Sequence, residues 1–169
     1  IVVVGATGAG KSTLAAVLAQ RLGIPHVELD GLHWEPEWTP AAPEVFRSRI
    51  AAATAGNAWV VDGNYRVGRD LVWGRANVLI WIDMPLHTHL ARLLRRTLGR
   101  WWRRELLWGT NRERLRTNLL SRDSLFIWLL QTHGRRRREY AALPADPAYA
   151  HLRYVRLTSG AQASAWAAA

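Results

Sequence analysis

Short apolar runs rich in β-branched residues alternate along the chain with longer segments whose apolar residues recur every three or four positions. The apolar runs predict five strands, at 1–4, 25–29, 58–62, 77–82 and 152–157. The longer segments predict helices at 11–22, 41–55, 86–98, after Asn111, 123–140 and 160–168. Strands that alternate with helices pack as a parallel sheet covered on both faces, so the pattern predicts one α/β domain spanning 1–169.

Apolar stripes predict the buried face of two of these helices. The stripe of the first helix consists of Leu14, Val17, Leu18 and Leu22. The stripe of the helix at 86–98 consists of Leu90, Leu93, Leu94 and Leu98. The arginines of that second helix fall on its other side, at Arg92, Arg95 and Arg96. The pattern breaks at Gly99, so we expect an arginine-rich lid or insertion over about 99–122.

The first predicted strand runs directly into Gly5-Ala6-Thr7-Gly8-Ala9-Gly10-Lys11-Ser12, which matches G-x-x-x-x-G-K-[ST] at every fixed position. In this motif the glycines let backbone N–H groups turn toward phosphate oxygens, the lysine adds a mobile positive charge and the serine a hydroxyl for Mg²⁺. The helix that follows adds its positive N-terminal end. The residues predicted to bind a nucleoside triphosphate are Gly5, Thr7, Gly8, Ala9, Gly10, Lys11, Ser12 and Thr13.

Composition narrows the class of protein. The chain has no cysteine, which excludes disulfide bonds and thiolate zinc sites. The single lysine is Lys11, in the predicted phosphate site, and every other Lys or Arg position is arginine. The apolar runs are too short to cross a bilayer, and no secretory pattern precedes the loop. We therefore expect a cytoplasmic protein with no membrane partner.

The net charge of +10 is concentrated in one stretch. Fourteen arginines and three acidic residues lie between positions 92 and 138, so this stretch carries all of the positive excess. Guanidinium groups there could close over a nucleotide and stabilise the charge of a transferring phosphoryl group. Alternatively, they could bind nucleic-acid phosphates while the tryptophans between them stack on bases. The run Arg135 to Arg138 is most simply interpreted as a solvated helix end.

Two predicted strands end in an aspartate, Asp62 and Asp83, and one of them is expected beside the phosphate-binding loop. We favour Asp62 as the acid that, with Ser12, organises Mg²⁺. Asp83 precedes Pro85 at the start of a predicted helix, so we expect it to stabilise that helix N-terminus.

The segment after the second strand, residues 28–38, is dense in functional groups. Ligands of open α/β sheets bind beyond the carboxyl ends of the strands, so Asp30, His33 and Trp34 are candidates for binding a phosphoryl acceptor. Asp30 could accept the proton of an attacking hydroxyl or orient a water bound to Mg²⁺. The alternative is that Asp30 caps a turn and the tryptophans contribute packing.

Taken together, the loop, the segment Asp30-Gly31-Leu32-His33-Trp34, the turn Asp62-Gly63-Asn64-Tyr65-Arg66 and the arginine-rich stretch resemble the P-loop nucleoside-monophosphate-kinase-like proteins. Within them the chain looks closest to the adenylate-kinase-like group often called DNA topology modulation proteins. The resemblance implies a five-stranded parallel sheet in the order 2-3-1-4-5, ATP in the loop and a lid over the phosphates. It also implies that Arg66 contacts the acceptor phosphate, with Asn64 and Tyr65 beside it.

Two segments depart from the adenylate-kinase pattern. The residues from Asp30 to His33 look more like the acceptor region of gluconate-type kinases, and the R-x-D-D pattern of the lid is missing. The expected activity is transfer of the ATP γ-phosphate to a small acceptor, and the acceptor we favour is a nucleoside monophosphate. The alternatives are a hydroxyl kinase of the gluconate or shikimate type and an ATP-controlled nucleic-acid-binding regulatory protein. The expected catalytic residues are Lys11, Asp30, Arg66, Arg96 and Arg100.

Overall fold

The computed structural model describes residues 1–103, 106–109, 111–112 and 124–168, with the backbone alone at Arg112. Its main sheet has five parallel strands. They are β1 (Val2–Gly5), β2 (His26–Glu28), β3 (Val60–Asp62), β4 (Val78–Ile82) and β5 (Arg153–Leu157). Numbered in this way, they lie in the order β2-β3-β1-β4-β5, as the resemblance implied.

Two short antiparallel ribbons, which the sequence pattern did not predict, accompany this sheet. The first ribbon pairs Trp34–Glu35 with Thr39–Pro40. The second pairs Leu106–Leu107 with Asn111–Arg112. Each strand of a ribbon has only two residues, too few for an alternating pattern to be visible in the sequence.

Seven α-helices are found in the described part of the chain. They are α1 (Lys11–Leu22), α2 (Leu29–His33), α3 (Pro43–Ala53), α4 (Arg69–Trp73), α5 (Leu86–Trp102), α6 (Leu125–Ala142) and α7 (Gly160–Ala168). Helix α5 continues through Gly99, where a break was expected, because one interior glycine costs a helix only about 1 kcal/mol. The helix predicted after Asn111 and most of the predicted lid lie outside the described residues.

The buried faces of α1 and α5 differ from the predicted stripes. Helix α1 buries Leu14, Ala15, Leu18 and Ala19, and Val17 and Leu22 are exposed. Helix α5 buries His89, Leu93 and Thr97, whereas Leu94 and Leu98 are 43% and 44% exposed. Small and polar side chains let the helices approach their neighbours closely, which counting large apolar residues cannot detect. Because the buried face of α5 differs from the predicted one, Arg92 and Arg96 line the cavity described below.

The core fixes the carboxyl edge of the sheet. One apolar cluster packs α3 and α4 on one sheet face around Phe46 and Ile50, and a second packs α1 on the other face around Leu14 and Leu18. A small third cluster joins Ala6 of the loop to Leu93 and Leu129 of α5 and α6. No helix in the described ranges is both long and apolar enough to cross a membrane.

Candidate active site

The loop between β1 and α1 has the backbone that its glycines were predicted to allow. Gly8 has φ 74°, and a Cβ there would lie 2.8 Å from the carbonyl oxygen of His89. Gly5 has φ 151°, and a Cβ there would lie 2.7 Å from the carbonyl oxygen of Ile82. Residues other than glycine rarely adopt these φ angles. The loop therefore needs glycine at both positions, for its backbone conformation and for the close approach of neighbouring carbonyl groups.

Lys11 lies at the centre of a charged cluster. Its Nζ donates a hydrogen bond of 3.2 Å to the carbonyl oxygen of Ala6. Burial lowers the pKa of Lys11, the charges of Asp30 and Asp62 oppose that shift, and the charges of Arg96 and Arg136 add to it. Two carboxylates and two guanidinium groups therefore act on this ammonium group.

A cavity of about 1400 Å³ opens over the loop. Most of the predicted site residues line it: Thr7, Gly8, Ala9, Gly10, Lys11, Ser12, Thr13, Asp30, Trp34, Asn64, Tyr65, Arg96 and Arg100. The loop and the segment after β2 therefore face the same space, as the position of both at the carboxyl ends of parallel strands predicts.

Asp62 lies beside the loop, as expected for the acid at the end of β3. Its side chain is 2% exposed, and its Oδ1 accepts a hydrogen bond of 3.3 Å from Ser12 Oγ. Its Oδ2 lies 2.9 Å from His26 Nε2, and this hydrogen bond raises the pKa of His26. Sequence analysis missed His26, although Glu28 of the same strand pairs in register with Asp62.

Asp83 has a different role from the one expected. Its buried carboxylate lies 3.1 Å from Arg137 Nε of α6 and 3.0 Å from Arg156 Nε of β5. Arg156 also covers the ring of Trp81, with its guanidinium carbon 4.9 Å from the ring centroid. Asp83 therefore joins β4, β5 and α6 through ion pairs, and its carboxylate does not line the cavity.

Asp30 is held by Tyr65, whose Oη donates a hydrogen bond of 2.7 Å to Asp30 Oδ1. Burial and the charge of Asp30 raise the pKa of Tyr65, so its hydroxyl stays a donor. His33 instead packs in a ring cluster with Phe46 and Trp34, at centroid distances of 4.9 and 4.8 Å. Burial lowers the pKa of His33, and its ring does not line the cavity.

Arg66 is not brought into the cavity. Its side chain is 78% exposed and lies 3.6 Å from Glu139 of α6, which also pairs with Arg69 at 2.9 Å. The expected contact between Arg66 and an acceptor phosphate thus finds no counterpart in this geometry. Gly63, with φ 138°, turns the chain at the end of β3, and a Cβ there would lie 2.7 Å from Leu29 Cβ.

Arg136 is the cavity arginine that sequence analysis missed. Its guanidinium lies over the Trp128 ring, 4.5 Å from the centroid, and burial lowers its pKa. Its Nη1 is buried and has no hydrogen-bond partner among the described residues. The helical period could have revealed it, because Arg136 lies midway between the buried Thr132 and Tyr140 on one face of α6. The run was therefore not simply a solvated helix end.

The sheet order, the loop and the flanking helices define the P-loop kinase fold. The shikimate kinase from Bacteroides thetaiotaomicron matches with a TM-score of 0.54 at 16% identity, over 99% of this chain and 93% of that one. A gluconokinase from Sinorhizobium meliloti 1021 matches with a TM-score of 0.52 at 19% identity, over 99% of this chain and 90% of that one. At this level of identity the matches establish the fold alone.

Two curated proteins are similar in sequence, and no family model matches. The uncharacterized protein YqaC of Bacillus subtilis (strain 168) is 27% identical over 119 residues, 69% of this chain and 67% of that protein. A shikimate kinase of Ruegeria pomeroyi is 29% identical over 119 residues, 56% of this chain and 60% of that protein. The Ruegeria relative and the two structural neighbours are thus named as small-molecule kinases, whereas YqaC carries no named activity. The narrower resemblance to adenylate-kinase-like proteins stays a prediction.

Proposed function

We propose that this protein transfers the γ-phosphoryl group of ATP to a hydroxyl group of a small molecule. The observation that carries the proposal is the placement of Asp30, held by Tyr65, in the same cavity as Lys11 of the phosphate-binding loop. The shikimate kinases and the gluconokinase among the relatives and structural neighbours support the same class of reaction.

The donor side of the cavity is built for phosphate. Lys11 and the N–H groups of the loop would hold the β- and γ-phosphates of ATP, next to the N-terminus of α1. Arg92 lies at the loop, where its Nη1 donates a hydrogen bond of 3.0 Å to the carbonyl oxygen of Ala9. The charges of Arg96 and Arg136 act on Lys11, so both cations would stabilise the negative charge that spreads during transfer.

Ser12 and Asp62 are the residues that would hold Mg²⁺. Their side chains are in contact, and both offer oxygen atoms, which this hard cation prefers alongside phosphate oxygens and water. The bound ion would neutralise phosphate charge. His26 keeps Asp62 Oδ2 engaged, so Oδ1, next to Ser12, is the oxygen directed at the loop.

On the acceptor side, Asp30 would orient the attacking hydroxyl and accept its proton. The acceptor oxygen forms a bond to the γ-phosphorus, the bond between that phosphorus and the bridging oxygen breaks, and ADP leaves with the electron pair. Tyr65 fixes the Asp30 carboxylate by its hydrogen bond, so the group is held in position before the substrate arrives.

A hydroxyl acceptor is preferred to the nucleoside monophosphate expected first. A monophosphate needs cations at the acceptor end, and Arg66, predicted for that task, is exposed and paired with Glu139. Arg136 and Arg137 of the arginine run contact groups of their own molecule, which counts against the nucleic-acid alternative.

The test is ADP release from Mg-ATP across a panel of polyols, sugar acids and nucleoside monophosphates. We expect release that depends on the acceptor, is abolished in Lys11→Ala and falls by about a hundredfold in Asp30→Asn. Arg66→Ala is the matched variant: because Arg66 does not line the cavity, it should retain activity toward a hydroxyl acceptor. Turnover of a monophosphate that Arg66→Ala abolishes would instead favour the nucleoside-monophosphate acceptor expected from the sequence. ATP binding without acceptor-dependent turnover would overturn the proposal, and an unimpaired Asp30→Asn enzyme would remove Asp30 as the base.

A further inference from the structure

One part of the cavity lining is made of indoles and carboxylates that lie outside the phosphate-binding loop. Its aromatic residues are Trp34, Trp38 and Trp108, and its acidic residues are Glu28, Asp30 and Glu37. The three rings are in continuous contact: Trp34 and Trp38 are 5.7 Å apart between centroids, and Trp38 and Trp108 are 5.8 Å apart, both edge to face. We call this surface the indole wall.

Trp108 is held by two contacts, one from the last residue of β2 and one from α2. Its Nε1 donates a hydrogen bond of 3.0 Å to Glu28 Oε2. Its ring also rests on Gly31, where an added Cβ would come within 2.7 Å of Trp108 Cδ1. The absence of a side chain at Gly31 therefore makes room for the indole.

Trp38 is fixed by the second ribbon. Asn111, which is 2% exposed, accepts a hydrogen bond of 2.9 Å from the Trp38 backbone N–H through Oδ1. Its Nδ2 donates one of 3.0 Å to the carbonyl oxygen of Glu35. Glu37 and Trp38 both have left-handed backbones, with φ 61° and 60°, a conformation that non-glycine residues rarely adopt. The two ribbons together thus hold the indole wall in a defined shape.

The cations and the carboxylates of the cavity lining belong to different elements of the chain. The cations among its described lining residues are Lys11, Arg92, Arg96, Arg100 and Arg136. Lys11 and Arg92 bond to loop carbonyls, and Arg92, Arg96 and Arg100 follow one another at four-residue intervals on α5. Arg136 of α6 acts through its charge on both Lys11 and Tyr65. An acidic acceptor on the indole wall would face the carboxylates of Glu28 and Asp30. Each carboxylate oxygen can accept more than one hydrogen bond, so these groups suit hydroxyl donors.

Resting on the proposed phosphotransferase activity, we propose that the acceptor is an uncharged ring polyol, a sugar or a cyclitol. Its C–H face packs on the indole of Trp108, and its hydroxyls donate to Glu28 and Asp30. Indoles offer a flat apolar surface for such a face, and the carboxylates fix the orientation of the ring. The hydroxyl nearest Asp30 is the one that receives the phosphoryl group, and its proton passes to the Asp30 carboxylate.

The first test compares matched acceptors, glucose with glucuronate and inositol with quinate, by ADP release from Mg-ATP and by calorimetric binding. We expect kcat/KM for the uncharged member to exceed that of its acidic partner by about tenfold or more. A preference for the acidic member would overturn this inference and leave the proposed kinase activity intact. Loss of that preference in Arg136→Leu would identify Arg136 as the group that binds the acid, since its charge acts on Tyr65. Failure of every uncharged polyol to bind would also overturn it. Loss of ATP binding or of all turnover would instead count against the proposed function.

The second test removes the Trp108 indole or fills the space at Gly31 that the indole occupies. Both Trp108→Ala and Gly31→Val should raise the acceptor KM by about tenfold while the ATP KM stays within about twofold. Trp102→Ala is the matched control, since that indole is 82% exposed and does not line the cavity. Circular dichroism would verify that each variant is folded. An unchanged acceptor KM in folded Trp108→Ala would contradict the role of the indole wall.

Discussion

The side-chain amide of Asn64 is paired with the backbone of Gly5 at the start of the phosphate-binding loop. Asn64 Oδ1 accepts a hydrogen bond of 3.2 Å from the Gly5 N–H, and Nδ2 donates to the Gly5 carbonyl oxygen. Tyr140 of α6 donates to the same Oδ1 at 3.1 Å. Asn64, expected to contact the acceptor, thus ties the end of β3 and helix α6 to the loop.

Replacing Asn64 by alanine should therefore weaken the loop more than the acceptor side. The variant loses both bonds to Gly5 and leaves the Tyr140 hydroxyl without this partner, which we expect to lower the free energy of unfolding by about 2 kcal/mol. Urea unfolding measures that loss, and steady-state kinetics should show a larger rise in the ATP KM than in the acceptor KM. Tyr140→Phe, which keeps the Gly5 bonds, should cost about 1 kcal/mol. Equal stability of wild type and Asn64→Ala would contradict this role.

The predictions from sequence succeeded where the chemistry is local. The loop follows from a motif in which each residue type has one task, and the strands follow from short β-branched runs, so Lys11, Ser12 and Asp62 were placed together correctly. Side chains that meet across distant elements were harder to predict. His26 on Asp62, Arg136 in the cavity and Trp108 on Gly31 each depend on packing angles between elements, which periodicity alone does not fix.

Asp83 should be a major determinant of stability away from the loop. Asp83→Ala leaves Arg137 and Arg156 without their shared carboxylate, but both guanidinium groups are partly exposed and can be hydrated. We therefore expect a loss of about 2 kcal/mol, below the range for a fully buried pair. Arg137→Ala should cost about 1 kcal/mol, because Arg156 still pairs with the carboxylate. Thermal and urea unfolding measure both, and a larger loss in Arg137→Ala than in Asp83→Ala would refute this ordering.

Gly8 should tolerate no side chain. Gly8→Ala places a Cβ 2.8 Å from the His89 carbonyl oxygen in a left-handed backbone, so the loop or the start of α5 must shift. We expect a loss of about 2 kcal/mol in unfolding free energy and at least tenfold weaker ATP binding, measured by urea unfolding and calorimetry. Gly56→Ala is the control, because a Cβ at Gly56 meets no atom within 4 Å. Similar ATP affinity in the two variants would show that the loop adapts.

His89 should make the fold sensitive to acid. Its ring is buried beneath the loop, 5.5 Å from the His133 ring, and burial, followed by the charges of His133 and Lys11, lowers the pKa of His89 to about 4. Because this value lies below the ordinary value of 6.5, the unfolded chain binds the proton more readily. The stability that neutral His89 contributes is complete above pH 6.5 and is lost as the pH falls toward 4.

The size of this effect can be measured by urea unfolding at pH 7 and pH 4.5. The shift in the pKa of His89 corresponds to a loss of roughly 2–3 kcal/mol between these conditions. His89→Leu fills a similar volume without a titrating group. Between pH 7 and pH 4.5 its free energy of unfolding should therefore fall by roughly 2–3 kcal/mol less than that of the wild type. His87→Gln removes a histidine from an exposed position of the same helix and should behave like wild type. If His89→Leu and wild type lose equal stability on acidification, other groups dominate the response to acid, and His89 is not its source.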